Sequence, residues 1–172
     1  MQKHDEKLER ARELLEGGEP TLDELAAAVG LSASHLQRSF SARYGLSPAH
    51  YLAQKKLGAL KSGLRAGSEV SAALYDAGYG SPSRVYEQGA IKLGMTPATY
   101  RAGGAGMQIH WSLVETVLGN ALVAATGRGI CAIELGEDAA QLECKLHHEF
   151  PNADIQHVQA GSDEFLAHRL HA

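Results

Sequence analysis

Cys144 is followed by His147 and His148 three and four positions on, the pairing in this 172-residue chain that most looks like a nucleophile beside a base. On a helix these spacings bring thiol and imidazole to one face, an arrangement that cysteine nucleophiles use. His157, His168 and His171 add nitrogen ligands nearby in the sequence. The spacings lack the paired Cys/His pattern of a zinc site, and no group supplies an oxyanion site. No catalytic residue, metal site or cofactor is therefore assigned. Cys131, inside GICAIEL, reads as a buried strand residue, and Trp111 reads as core rather than as a platform for stacking bases.

A second chemistry needs no reaction, only side chains that read base edges. In SHLQR the exposed positions of a helix are Ser34, His35, Gln37 and Arg38, because Leu36 and Phe40 occupy the opposite face. Arginine pairs bidentately with guanine and glutamine with adenine. A related stretch, SRVYE, offers Ser83, Arg84, Tyr86 and Glu87. Glu87 stands where Arg38 stands in the first stretch; it can accept from cytosine N4 but repels phosphate. Gly89 replaces Phe40, so the second helix is held less firmly and is expected to read fewer bases, with Arg84 on phosphate. Ser32 and Ser81, at helix starts with free N–H groups, suit phosphate. So do Arg43, Lys55, Lys56 and Lys92.

Charge agrees with that reading. Residues 1–30 hold 4 Lys+Arg against 8 Asp+Glu, residues 31–101 hold 9 against 3, and residues 102–172 hold 3 against 9. A basic middle between acidic flanks is the footprint of a surface that meets phosphate. The net charge of -4 conceals it.

The elements that must position these side chains are legible. Leu8, Ala11 and Leu15 form a helical stripe that Gly17-Gly18 ends. Thr21 with Glu24 makes a capping box for a helix carrying Leu22, Leu25, Ala26 and Val29, stopped by Gly30. Ser32 caps the next helix and Gly45 ends it. The pattern then repeats: with an offset of 48, Leu22, Leu25, Ala26, Val29 and Gly30 align with Val70, Ala73, Leu74, Ala77 and Gly78. With an offset of 49, Ser32, Leu36 and Gly45 align with Ser81, Val85 and Gly94. Each copy ends in one phrase, GLSPAHYL or GMTPATYR. It stops a helix at glycine, caps the next at Ser47 or Thr96, and places proline first. Leu46 with Tyr51, and Met95 with Tyr100, have the spacing of a hydrophobic staple. Two helices joined by a short Gly-containing turn are a helix-turn-helix. Between the copies Pro48–Arg65 reads as a connecting helix weakened by Gly58 and Gly63.

The texture changes after Arg101. GGAG at 103–106 reads as a linker. Ile109, Trp111 and Leu113 alternate as in a half-buried strand, and ALVAAT and ICAIEL follow as an antiparallel meander. Ala139, Leu142, Leu146 and Phe150 mark a helix ended by Pro151, and DEFLAHRLHA starts another. The fold class is an all-α tandem helix-turn-helix domain, residues 1–102, then a small and incomplete α+β lobe, residues 107–172. No apolar run approaches the ~18 residues of a membrane span. The mixed, acidic N-terminus is no signal peptide, and two cysteines suit a reduced cytoplasmic setting.

Residues 5–101, through AAAVGLS, SHLQRSF, GLSPAHYL, DAGYGSPS and GMTPATYR, resemble the paired helix-turn-helix domain of AraC-type transcription regulators. Residues 107–172, through GNALVAATGRGICAIELGED, resemble the ribonuclease-H-like N-terminal lobe of methylated-DNA–protein-cysteine methyltransferases. That order is the order of Ada-like regulators of the alkylation-damage response. The resemblance implies a bacterial, nucleoid-associated DNA-binding regulator, activator or repressor, that allows RNA polymerase as a second partner. It implies that Ser34, Gln37 and Arg38 face bases. Two reading helices on one connecting rod are expected to meet two successive major grooves of double-stranded DNA, so that a single chain can bind. The family's zinc belongs to a cysteine-built N-terminal domain, and no cysteine precedes Cys131. Its methyl acceptor lies in a Pro-Cys-His-Arg motif that this sequence lacks. Methyl transfer, the parent family's activity, is therefore not expected of these residues.

Overall fold

The computed structural model describes residues 2–79 and 93–159. Local signals set its first four helices: α1 (Gln2–Gly17), α2 (Leu22–Val29), α3 (Ala33–Tyr44) and α4 (Pro48–Arg65). Thr21 Oγ1 accepts the Glu24 amide while the Glu24 carboxylate accepts the Thr21 amide, so two otherwise orphaned donors are met. Ser32 Oγ accepts from the His35 amide, and Ser47 Oγ from the His50 amide. Gly30 and Gly45 end their helices at φ of 64° and 73°, the left-handed region where a Cβ is costly. The chain divides into two compact units, Met1–Gly58 and Ala59–Ala172, with the division inside α4.

In the first unit Leu8, Ala11 and Leu15 of α1 meet Leu25, Ala26 and Val29 of α2 and Leu36 and Phe40 of α3. Burying each of the larger side chains contributes roughly 1.5–3 kcal/mol. Phe40 stands 4.5 Å from the Tyr44 ring and edge-on to Tyr51 at 5.8 Å. Leu46 remains 40% exposed. Tyr51, the ring expected to pair with Leu46 in a staple, packs edge-on against Phe40.

The second unit begins with Leu60 and Leu64 on the last turns of α4, followed by α5 (Val70–Asp76) and α6 (Pro97–Arg101). Gly63 has a structural use here: a Cβ on it would lie 3.3 Å from Cβ of Ala73, so its absence lets α5 approach α4. Four strands then form a sheet of order β3-β2-β1-β4: β1 (Gln108–Thr116), β2 (Gly119–Thr126), β3 (Gly129–Gly136) and β4 (Asp154–His157). Helix α7 (Ala139–Glu149), capped by Asp138, lies between β3 and β4 in the chain. The first three strands are the expected antiparallel meander. The sheet is nonetheless mixed, because β4 pairs parallel to β1. A helix-containing crossover makes parallel pairing reachable, and a four-residue edge strand leaves almost no periodicity to read.

The expected linker is a folded turn. Gly103, Gly104 and Gly106 all take positive φ, and Asn152 ties the turn down with its amide on Gly103 O and its Nδ2 on Ala102 O. A Cβ on Gly104 would stand 3.0 Å from that of Ala153, so this stretch needs glycine for close packing as much as for freedom. The expected helices at 81–92 and 163–172 lie outside the described residues, and with them Ser81, Ser83, Arg84, Tyr86, Glu87 and Lys92. Among the described residues no helix is long and apolar enough to cross a membrane.

Candidate nucleic-acid interface

Helix α3 is split cleanly by burial. Leu36 and Phe40 are wholly buried, while Ser34, His35, Gln37 and Arg38 are exposed, as their spacing predicts. Ser34 and Arg38 sit one turn apart near the N-terminal end, and Arg38 Nε donates to Ser34 O at 3.3 Å. That contact lays the guanidinium along the helix with no acidic partner among the described residues. The other two differ in surroundings. His35 stacks on His4 of α1, ring centroids 5.3 Å apart. Gln37 lines a cavity of about 230 Å³ with Leu22, Leu25, Pro48 and Leu52. Arg38 and Ser34 are therefore the side chains that point most directly away from the core.

Among the described residues, the basic side chains assigned to phosphate, Arg43, Lys55 and Lys56, are already engaged. Arg43 pairs with Asp5 at 2.8 Å and lies 5.6 Å from the Tyr44 ring centroid. Lys56 pairs with Glu19 at 2.5 Å. Lys55 Nζ donates to the carbonyls of Leu15 and Glu16, closing the C-terminal end of α1, where a cation also meets the helix dipole. Ser32 spends its hydroxyl on its own helix cap. The acidic first segment and the basic middle, which the sequence presents as separate charge blocks, meet side by side within the first unit.

Tyrosines fasten α1 further. Tyr44 donates to Glu9 at 2.8 Å and Tyr51 to Glu16 at 2.5 Å. The Arg12 guanidinium and then the Tyr44 hydroxyl hold the Glu9 carboxyl below the usual carboxylate range. The hydrogen bond to Glu16 and burial raise the Tyr51 phenol. Spacing within one element cannot reveal these four residues, because each pair spans 35 positions.

The cysteines separate. Cys131 is 1% exposed on β3, and burial pushes its thiol up to about 12. Such a thiol carries almost no thiolate at neutral pH and is a poor nucleophile. Cys144 is exposed on α7, and His147 there lies 4.0 Å from Glu143. Among the described residues no three His, Cys, Asp or Glu side chains gather as metal ligands. Trp111 is 6% exposed on β1, edge-on to His157, and belongs to the core.

Two family profiles match the chain. "Helix-turn-helix domain" covers residues 25–103, and "6-O-methylguanine DNA methyltransferase, ribonuclease-like domain" covers residues 109–165. The chain is 37% identical over 150 residues to the "Bifunctional transcriptional activator/DNA repair enzyme Ada" of Escherichia coli (strain K12), covering 87% of the chain and 42% of that protein. It is 37% identical over 154 residues to the "Regulatory protein ada" of Salmonella typhimurium (strain LT2), covering 89% of the chain and 44% of that protein. The chain thus spans less than half the length of these relatives. No solved structure matches it.

Proposed function

Because the chain belongs to the Ada-like family, with a helix-turn-helix domain followed by a ribonuclease-like lobe, we propose that it is a sequence-specific DNA-binding transcription regulator of the alkylation-damage response. The observation that carries this reading is α3. It is a capped helix after a tight turn, buried on Leu36 and Phe40, and it presents Ser34 and Arg38 outward near its N-terminus. A helix in the major groove reads bases with side chains at that end. Arg38 has the reach and charge to pair with guanine, with Ser34 and Gln37 beside it. His35, held against His4, takes the flank. Arg43 is in an exposed pair worth at most about 1 kcal/mol, so a phosphate can replace Asp5; Lys56, its side chain only 21% exposed, would have to give up Glu19 to reach one. Lys55, with two carbonyl partners, stays in the fold. The second reading set keeps Ser83, Tyr86 and Glu87 for bases and Ser81, Arg84 and Lys92 for phosphate.

The finer reading follows from the repeat. Two units in one chain, with unlike reading stretches, address an asymmetric site across two successive major grooves as a monomer. The protein then works in the cytoplasm at the nucleoid, with RNA polymerase as the partner that an activator engages. Methyl transfer is the competing reading, and the buried thiol of Cys131 weighs against that cysteine as the acceptor. A gel-shift titration against a randomised duplex library, repeated over a salt series, tests the proposal. It expects selected sequences and an affinity that falls by slope ≈ −0.9 per phosphate contacted. Salt-insensitive or absent binding sinks it. Incubation with radiolabelled methylated DNA should leave the protein unlabelled, whereas one label per chain would establish the competing reading.

A further inference from the structure

The two copies of the repeated phrase differ in what covers them. Gly45 has nothing within 4 Å of where a Cβ would stand, and Leu46 is open to solvent. Gly94 would place a Cβ 2.6 Å from Gly129 O and 2.9 Å from both Cβ and N of Cys131. Met95 and Tyr100 are buried. The second copy is thus pressed against the β2–β3 turn, whose Thr126 hydroxyl, itself buried, donates to Gly94 O.

A polar lock completes the contact. Lys61 of α4 donates to Cys131 O at 3.0 Å, stands 3.7 Å from the Glu149 carboxylate, and lies 5.5 Å from the Tyr100 ring centroid. Tyr100 of α6 donates its hydroxyl to the same Glu149 carboxylate and meets Phe150 edge-on at 5.5 Å. The Glu149 side chain is 9% exposed, so these partners satisfy a carboxylate that water hardly reaches. Burial and Glu149 raise the Tyr100 phenol well above its ordinary value, which keeps it a donor.

We propose that the ribonuclease-like lobe is the structural support of the second helix-turn-helix: the Lys61–Glu149–Tyr100 lock and the Gly94 contact join the helices after Ala59 to the lobe as one cooperative unit. Tyr100, Lys61 and Glu149 are then positioning residues for the second DNA-reading unit. This assigns the lobe a role that needs no methyl acceptor. Only its consequence for DNA rests on the regulator reading above.

Native-state hydrogen exchange on the full chain tests it. Tyr100→Phe keeps the ring packing on Phe150 and removes one hydrogen bond to a carboxylate. It should speed exchange of the Leu60–Leu64 amides in α4 and of the Leu122–Ala125 amides in β2 by one common factor, about ten- to hundred-fold. Two crossed variants guard against local effects. Lys61→Met is read at the β2 amides, and Glu149→Gln at the Leu60, Leu64 and Leu74 amides; both should accelerate. Acceleration confined to the mutated element overturns the cooperative unit. If exchange couples but Tyr100→Phe leaves the DNA footprint of the wild type unchanged, the positioning role is overturned. A wild type that gives no footprint at all refutes the DNA reading and leaves the exchange result standing by itself.

Discussion

Replacing Gly94 with alanine should cost far more than the same change at Gly45, although the two glycines hold equivalent places in the repeated phrase. Both have positive φ, 66° and 73°. Placing an L-residue there costs about 1–2 kcal/mol, of which the stiffer unfolded chain returns about 0.4–1 kcal/mol. Gly45→Ala, with open space around it, should therefore destabilise by about 1 kcal/mol. Gly94→Ala adds a methyl group 2.6 Å from Gly129 O and 2.9 Å from Cys131 N. These are main-chain atoms of a sheet and cannot rotate aside, so overpacking adds about 1–3 kcal/mol, for a total near 2–4 kcal/mol. Trp111 is the only tryptophan and is buried in the lobe, so its fluorescence in a urea titration reports that unit. With a slope near ~2 kcal/mol per molar urea, Gly94→Ala should lower the Trp111 midpoint by roughly 1–2 M. Gly45→Ala should cost about 1 kcal/mol by far-ultraviolet ellipticity. Equal costs for the two variants, or a Trp111 midpoint indifferent to Gly94→Ala, would refute the contact between the phrase and the lobe.

Four further outcomes are expected. Arg38→Ala should relax base preference at one position of a selected duplex by about 1–3 kcal/mol. Lys55→Met should instead lower thermal stability by about 0.3–1 kcal/mol through the end of α1, and equal loss of base preference from both would contradict that division of labour. One thiol per native chain, Cys144, should react promptly with a disulfide reagent at pH 8, and a second should appear only in denaturant; prompt reaction of both would show Cys131 to be accessible. The Cys131 thiol is raised in the folded state by burial, so its contribution is fully present below its ordinary value of 9.0 and is lost as pH rises toward about 12. Urea midpoints between pH 8 and 11 should therefore fall, and Cys131→Ala should flatten the fall.

Helix boundaries were legible because they are set locally. Thr21 with Glu24, and the serines at 32 and 47, bond to amides three residues on, and Gly30 and Gly45 need only a left-handed turn. The exposed face of α3 was legible for the same reason: Leu36 and Phe40 fix the inner side, and helical spacing leaves Ser34 and Arg38 outside. The fate of the basic residues was not legible. Arg43, Lys55 and Lys56 find their partners on α1 and in the segment after it, 37 to 40 positions away. A charge tally by segment separates groups that the fold brings together. Strand β4 was hidden because it is short and borrows its order from β1.

The sequence by itself determined the repeat, the caps, the exposed face of α3 and the order of a helix-turn-helix domain before a ribonuclease-like lobe. These are properties of periodicity and of contacts a few residues apart. Only the tertiary structure decided which copy of the phrase is bare and which is covered, and which cations are spent on the fold. Gly45 and Gly94 are the same residue in the same local geometry. They differ because Gly129 and Cys131, far along the chain, close on one of them alone, and a contact of that separation has no local signal to announce it.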